Sequence, residues 1–108
     1  ESKLLSGLEL GCSGIITATC NVTAELSRNV YDNFINKIDQ TNNQKLCNVR
    51  EEFDKYNLIS GIHTILSISD NSFKNLLPPL SLLNQDSKKK LLDELAKLDF
   101  NYNFLKVA

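Results

Sequence analysis

The sequence predicts an α/β chain, mostly helical, in which one short buried strand lies between amphipathic helices. Three observations point there. Residues 14–18 carry Ile15-Ile16-Thr17-Ala18, a run without polar alternation, as in a strand covered on both faces. Leu4, Leu5 and Leu8 before it, and Leu26, Val30, Phe34 and Ile38 after it, recur at helical spacing. Gly11 and Gly14 fall between the first helix and the strand, where a chain leaving a helix needs a residue that turns cheaply.

In chain order, residues 2–10 form a helix that ends at Gly11 in a left-handed cap. The strand 14–18 follows. No partner strand is apparent elsewhere, although a strand needs a neighbour for its backbone donors and acceptors. Asn21 or Thr23 caps the next helix, 23–39, with Glu25 facing the positive end of its dipole. Tyr31 and Ile35 widen its apolar stripe, and Ser27, Asn29, Asp32, Asn33 and Asn36 cover the other side. After a polar break at 40–43, Leu46, Val49, Phe53 and Tyr56 mark a helix over 43–56, with Arg50, Glu51 and Glu52 on its solvated face.

Residues 57–69 fit a helical face through Leu58, Ile59, Ile62, Ile65 and Leu66. Gly61 and the β-branched density would also suit a strand; helix is the expectation. Residues 69–72 read as a loop. One helical turn at 73–77 stops before Pro78-Pro79, because the residue preceding a proline is pushed out of helical geometry. Asn84 caps a last helix, 85–98, with Asp86 in its first turn. Leu91, Leu92, Leu95 and Leu98 turn inward and Lys88, Lys89 and Lys90 face solvent. Residues 99–108 read as a tail pinned by Phe100, Tyr102 or Phe104.

The totals exclude several function classes. At 108 residues the chain makes one domain at most. A net charge of -1 with dispersed Lys and Arg gives no support to a nucleic-acid or anionic-membrane surface. No apolar run approaches the roughly 18 residues of a membrane span. Cys12, Cys20 and Cys47 contain no CxxC pair, so neither a disulfide framework nor a zinc site is expected, but free thiols in a reducing compartment. The chain holds no methionine, so Glu1 reads as an interior position of a longer chain or the start of a processed one.

Catalytic candidates are few. His63, the only histidine, lies among Ile62, Thr64 and Ile65 and reads as a core or helix-face residue sooner than a general base. Gly11-Cys12-Ser13-Gly14 lacks the lysine and spacing of a phosphate loop. Glu25, Glu51, Glu52, Asp93 and Glu94 all fall on faces expected to be solvated. The residues taken alone identify no active site, no metal site and no cofactor site.

Gly11, Gly14, Ile16 and Thr17, then Asn21-Val22 and the helix from Leu26 through Tyr31, resemble the dihydrodipicolinate synthase / N-acetylneuraminate lyase family. Pro79-Leu80 before a terminal helix looks like the family's closing segment. The resemblance covers essentially the whole chain but about the last third of a family member, since a complete (β/α)8 barrel needs roughly 250 residues. It implies the C-terminal portion of a TIM barrel plus a helical extension. Residues 2–10 would be helix 7, residues 14–18 strand 8 and residues 23–39 helix 8. Residues 1–40 would thus end the barrel, and 41–108 form the extension. It also implies class I (Schiff-base) chemistry on pyruvate or another 2-oxo acid, in a cytoplasmic homo-oligomer that needs no cofactor. The family's catalytic lysine and tyrosine belong to earlier strands, so these residues alone are expected to be inactive. Ile16 matches the strand-eight isoleucine that lies against pyruvate; simple barrel packing is the other role open to it. The second substrate stays open, with a lean to dihydrodipicolinate synthase. The contrasting possibility is a free-standing helical interaction module in which 14–18 is helix or loop.

Overall fold

The computed structural model describes residues 1–102, so Phe104 lies outside the described residues. Within them run five α-helices: α1 (Leu4–Glu9), α2 (Cys20–Ile35), α3 (Asn43–Asp54), α4 (Leu58–Leu66) and α5 (Gln85–Lys97). A 3-10 turn at Asn71–Lys74 precedes the last. The five longer expected helices are present with shifted ends, and the helix in 57–69 is α4; the turn expected at 73–77 lies earlier, as the 3-10 turn Asn71–Lys74, with 75–77 irregular.

The strand is the main correction. Among the described residues there is no β-strand, and 12–17 have no regular secondary structure. Ile15 and Ile16 are exposed rather than buried on both faces. A β-branched run becomes a strand only when a neighbour takes its backbone hydrogen bonds. None of the described segments offers an edge to it.

Three helices stop in the same way, and the backbone bonds show why. At α1, Cys12 N–H reaches the Gly7 carbonyl at 2.9 Å and Gly11 N–H reaches Leu8 at 3.0 Å, with Gly11 at φ 94°. This six-to-one and five-to-two pair is the Schellman arrangement expected at Gly11. At α2 the left-handed position is Lys37 (φ 55°), with Ile38 N–H on Asn33 O at 2.9 Å. At α5 it is Asp99 (φ 52°), with Phe100 N–H on Leu95 O at 3.0 Å. Helix α2 therefore ends at Ile35 instead of 39, and Ile35 and Ile38 are exposed rather than inside. It also begins at Cys20, which puts Glu25 beyond its first turn.

Two apolar clusters hold the helices together. Leu4 and Leu8 of α1 meet Val30 of α2 and Leu46 of α3. Val22, Val49, Phe53, Ile62, Ile65, Leu91, Leu95 and Phe100 form the larger cluster, which α2, α3, α4 and α5 share. Tyr56, Leu92, Leu98 and Tyr102 pack against its border, so the chain after α5 is pinned through Phe100 and Tyr102. Gly61 resolves its own ambiguity. A Cβ there would stand 3.3 Å from Phe53 Cδ1, so α4 uses glycine to lie against the aromatic ring.

Side-chain caps start the later helices. Asn57 accepts from Ser60 N–H at 3.1 Å and Asn84 from Ser87 N–H at 2.8 Å. Asn84→Ala is expected to lower the unfolding free energy by about 1 kcal/mol in a urea melt, while Asn84→Ser holds near the parent value. Asp70 accepts from Ser72 N–H before the 3-10 turn, and that backbone hydrogen bond holds its carboxyl below the usual 3.8.

Candidate functional site

Residues 12–19 link α1 to α2, and they carry the one site residue anticipated from sequence. Ile16 is fully exposed. Among the described residues, 13–17 neither donate nor accept a backbone hydrogen bond, while Cys12 N–H still belongs to the α1 cap and Ala18 O accepts from Asn21. The segment therefore shows free main-chain groups beside two exposed isoleucines. Gly14 leaves open space around its Cα.

Directly after this segment the chain enters a buried polar cluster. The Glu1 side chain is fully buried. Its Oε1 accepts from Thr23 Oγ1 at 2.8 Å, and its Oε2 accepts a short hydrogen bond from Thr19 Oγ1. Arg50 of α3 adds Nη1 at 3.2 Å from Thr19 Oγ1 and 3.7 Å from Glu1 Oε2. Its Nε is held by Asp54 Oδ1 at 2.8 Å, one turn on. Thr17 Oγ1 lies 3.3 Å from Thr19 Oγ1.

The donor inventory assigns the directions. A guanidinium only donates and a carboxylate only accepts. The Thr19 hydroxyl must then give its proton to Glu1 and accept from Arg50, leaving one acceptor position for the Thr17 proton. The result is a directed chain from Thr17 through Thr19 to Glu1, with Arg50 beside its centre. Charge-assisted hydrogen bonds of this sort are the stronger kind, and burial makes an unpaired member costly.

Sequence reasoning placed Arg50 on a solvated face and did not single out Glu1. Arg50 is instead mostly buried, its side chain 23% exposed. Ser27, assigned to the polar outer face of α2, is buried below Thr23. The missed signal is a hydroxyl stripe, Thr19, Thr23 and Ser27, at the same four-residue spacing as the leucines.

The other candidates behave as structure. Half-buried His63 holds Phe73 of the 3-10 turn, with Nδ1 2.8 Å from its carbonyl oxygen and the rings edge-to-face at 5.9 Å. Cys12 is exposed, and Cys20 and Cys47 are free thiols. An open groove of about 350 Å³ runs along α2 and the start of α3, lined by Val22, Leu26, Lys45, Asp99 and Phe100. Lys45 Nζ donates to Asp99 O there at 2.6 Å. Ile16 is not among the groove's residues.

Lys55 and Lys97 are poor nucleophiles where they stand. Lys55 donates to Glu52 at 2.6 Å and Lys97 to Glu94 at 2.7 Å, and these hydrogen bonds raise both ammonium groups above 10.5. An imine-forming lysine needs the opposite shift, so that a free amine is present near neutral pH. No helix among the described residues is long and apolar enough to cross a membrane.

No curated protein and no solved structure matches the chain. The family model for the dihydrodipicolinate synthetase family matches residues 1–98, from Glu1 of the buried cluster to the end of α5. With nine-tenths of its length covered, the chain belongs to the dihydrodipicolinate synthetase family.

Proposed function

We propose that these residues form the closing portion of a class I, pyruvate-dependent aldolase or lyase, most similar in role to dihydrodipicolinate synthase. The family match over 1–98 carries this proposal, and the exposed segment 12–17 supports it. In this account α1 is barrel helix 7, residues 14–18 are strand 8, and α2 is helix 8. Residues 1–40 end the barrel and 41–108 form its helical extension. The unpaired main chain of 13–17 would pair with barrel strands one and seven, which explains why it finds no partner among the described helices. Ile16 would lie against pyruvate at the C-terminal face, where barrel active sites are built.

The chemistry would be covalent. A lysine amine on another strand condenses with the pyruvate carbonyl and releases water; the enamine that follows attacks a second carbonyl. Ile16 contributes apolar contact and backbone to that pocket, and no proton transfer. A cytoplasmic homo-oligomer is the expected setting. The helical interaction module finds no support in the family match.

Ile16→Asp tests the pocket in the protein translated from the whole reading frame. A carboxylate against the pyruvate carboxylate is expected to raise KM for pyruvate at least about tenfold, with Ile16→Val near the parent value. An unchanged KM in a folded Ile16→Asp protein overturns the assignment.

The 108 residues on their own should self-associate. An exposed β-branched segment with free main-chain groups is a template for pairing with another copy. Light scattering is expected to show dimers or larger species, reduced by Ile16→Lys. A monodisperse monomer would contradict this.

A further inference from the structure

We propose that Arg50 is a positioning residue for the pyruvate-facing segment, acting from the helical extension through the Thr19 hydroxyl. The inference rests on the function proposed above and deepens it. The family resemblance places the substrate contact at Ile16; the buried cluster shows what holds the far end of that segment in place.

Four observations combine. Thr19 is fully buried and joins the segment to α2. Its hydroxyl sits between Arg50 Nη1 at 3.2 Å and Glu1 Oε2, while Thr17, the residue after Ile16, lies 3.3 Å from it on the open side. Its carbonyl is also engaged, accepting from Val22 N–H at 2.8 Å and Thr23 N–H at 2.9 Å. Thr19 is thus fixed at both polar ends. Arg50 is itself aimed, because Asp54 takes Nε and leaves Nη1 pointing into the cluster.

The geometry has a physical consequence for Ile16. Residues 13–17 make no backbone hydrogen bonds with the described residues, so the orientation of Thr17 depends on the α1 cap at one end and Thr19 at the other. Arg50 comes from 31 residues beyond Thr19, which ties the barrel's last segment to the extension. Removing the guanidinium leaves Glu1 buried with two hydroxyl donors and no positive partner. The cluster must then open or admit water, and Thr19 loses the donor that fixes its rotamer. A small displacement at a binding wall weakens substrate contact without touching the reacting lysine.

The test uses the protein from the whole reading frame with Arg50→Gln, Arg50→Lys, Thr19→Val and Thr19→Ser. Arg50→Gln and Thr19→Val are each expected to raise KM for pyruvate about tenfold while kcat stays within about twofold. Arg50→Lys and Thr19→Ser should recover most of the loss, and the double variant should be no worse than either single one. If Arg50→Gln does not fold, Thr19→Val carries the kinetic arm, since it leaves the Arg50–Asp54 pair intact. Amide exchange supplies a readout independent of turnover. The Val22 and Thr23 amides should exchange about tenfold faster in Arg50→Gln while the Leu95 amide keeps its rate. A folded Arg50→Gln protein with unchanged KM, or one that loses kcat at constant KM, overturns the proposal. So does exchange that rises equally at the Leu95 amide in α5 and at Val22. Absence of pyruvate turnover in the parent protein would instead defeat the proposed function, and the exchange arm would still decide whether Arg50 holds Thr19.

Discussion

Phe53→Ala is expected to lower the unfolding free energy by about 3–5 kcal/mol in a urea or thermal melt. Phe53 is the largest fully buried side chain among the described residues and belongs to the cluster that joins α3 to α4 and α5. Its removal takes away ring contacts and leaves a cavity that rigid helices fill only in part. A domain of this size has about 5–15 kcal/mol to lose, so the loss is a large share of the total. Gly61 gives the prediction a second, sharper form. In the parent protein Gly61→Ala sets a gain in helix propensity of about 1 kcal/mol against a 3.3 Å approach to Phe53 Cδ1. In the Phe53→Ala background that approach is gone. Gly61→Ala should therefore be more favourable there, by about 1 kcal/mol or more, in a double-mutant cycle. Strict additivity would mean that the ring does not dictate the glycine.

The helices were legible because their buried positions are apolar and regularly spaced. Leu46, Val49 and Phe53, and Leu91 and Leu95, are all fully buried as their spacing indicates. Asn84 and Asp86 marked the start of α5 by ordinary cap chemistry. Gly61 was ambiguous because its reason lies on another helix. Residues 14–18 form no strand among the described residues because strand formation is not a local property. Ile15-Ile16-Thr17-Ala18 has the composition of a buried strand, yet pairing needs an edge that the described residues do not provide. The end of α2 lies short of its expected 39 because the left-handed cap there is taken by Lys37, a residue type that seldom adopts it, whereas α5 ends within a residue of its expected 98.

The polar cluster was illegible for a different reason. Hydroxyls and charges are mostly at the surface, so the sequence places Ser27 and Arg50 on outer faces, offers Thr23 as a helix cap and gives Thr19 no role. Burial became affordable because each group finds a partner in the cluster, from Glu1 outward. Pairing of that kind depends on three segments meeting, and spacing within one helix does not show it. Ile16 came from resemblance rather than periodicity; its exposure fits a wall that faces something other than these helices.

The second large effect is covalent and close to all-or-none. Incubation with pyruvate followed by borohydride reduces any imine to a stable adduct that intact mass detects. Under the proposed function the imine-forming lysine lies on an earlier strand, and Lys3, Lys37, Lys45, Lys55, Lys74 and Lys88 through Lys90 do not take its place. Lys55 and Lys97 are moreover held as ammonium groups by Glu52 and Glu94. The 108 residues alone should therefore gain no adduct. The protein from the whole reading frame should gain one pyruvate adduct, on a lysine outside residues 1–108. An adduct on the 108 residues alone, or none on the product of the whole reading frame, would contradict the account.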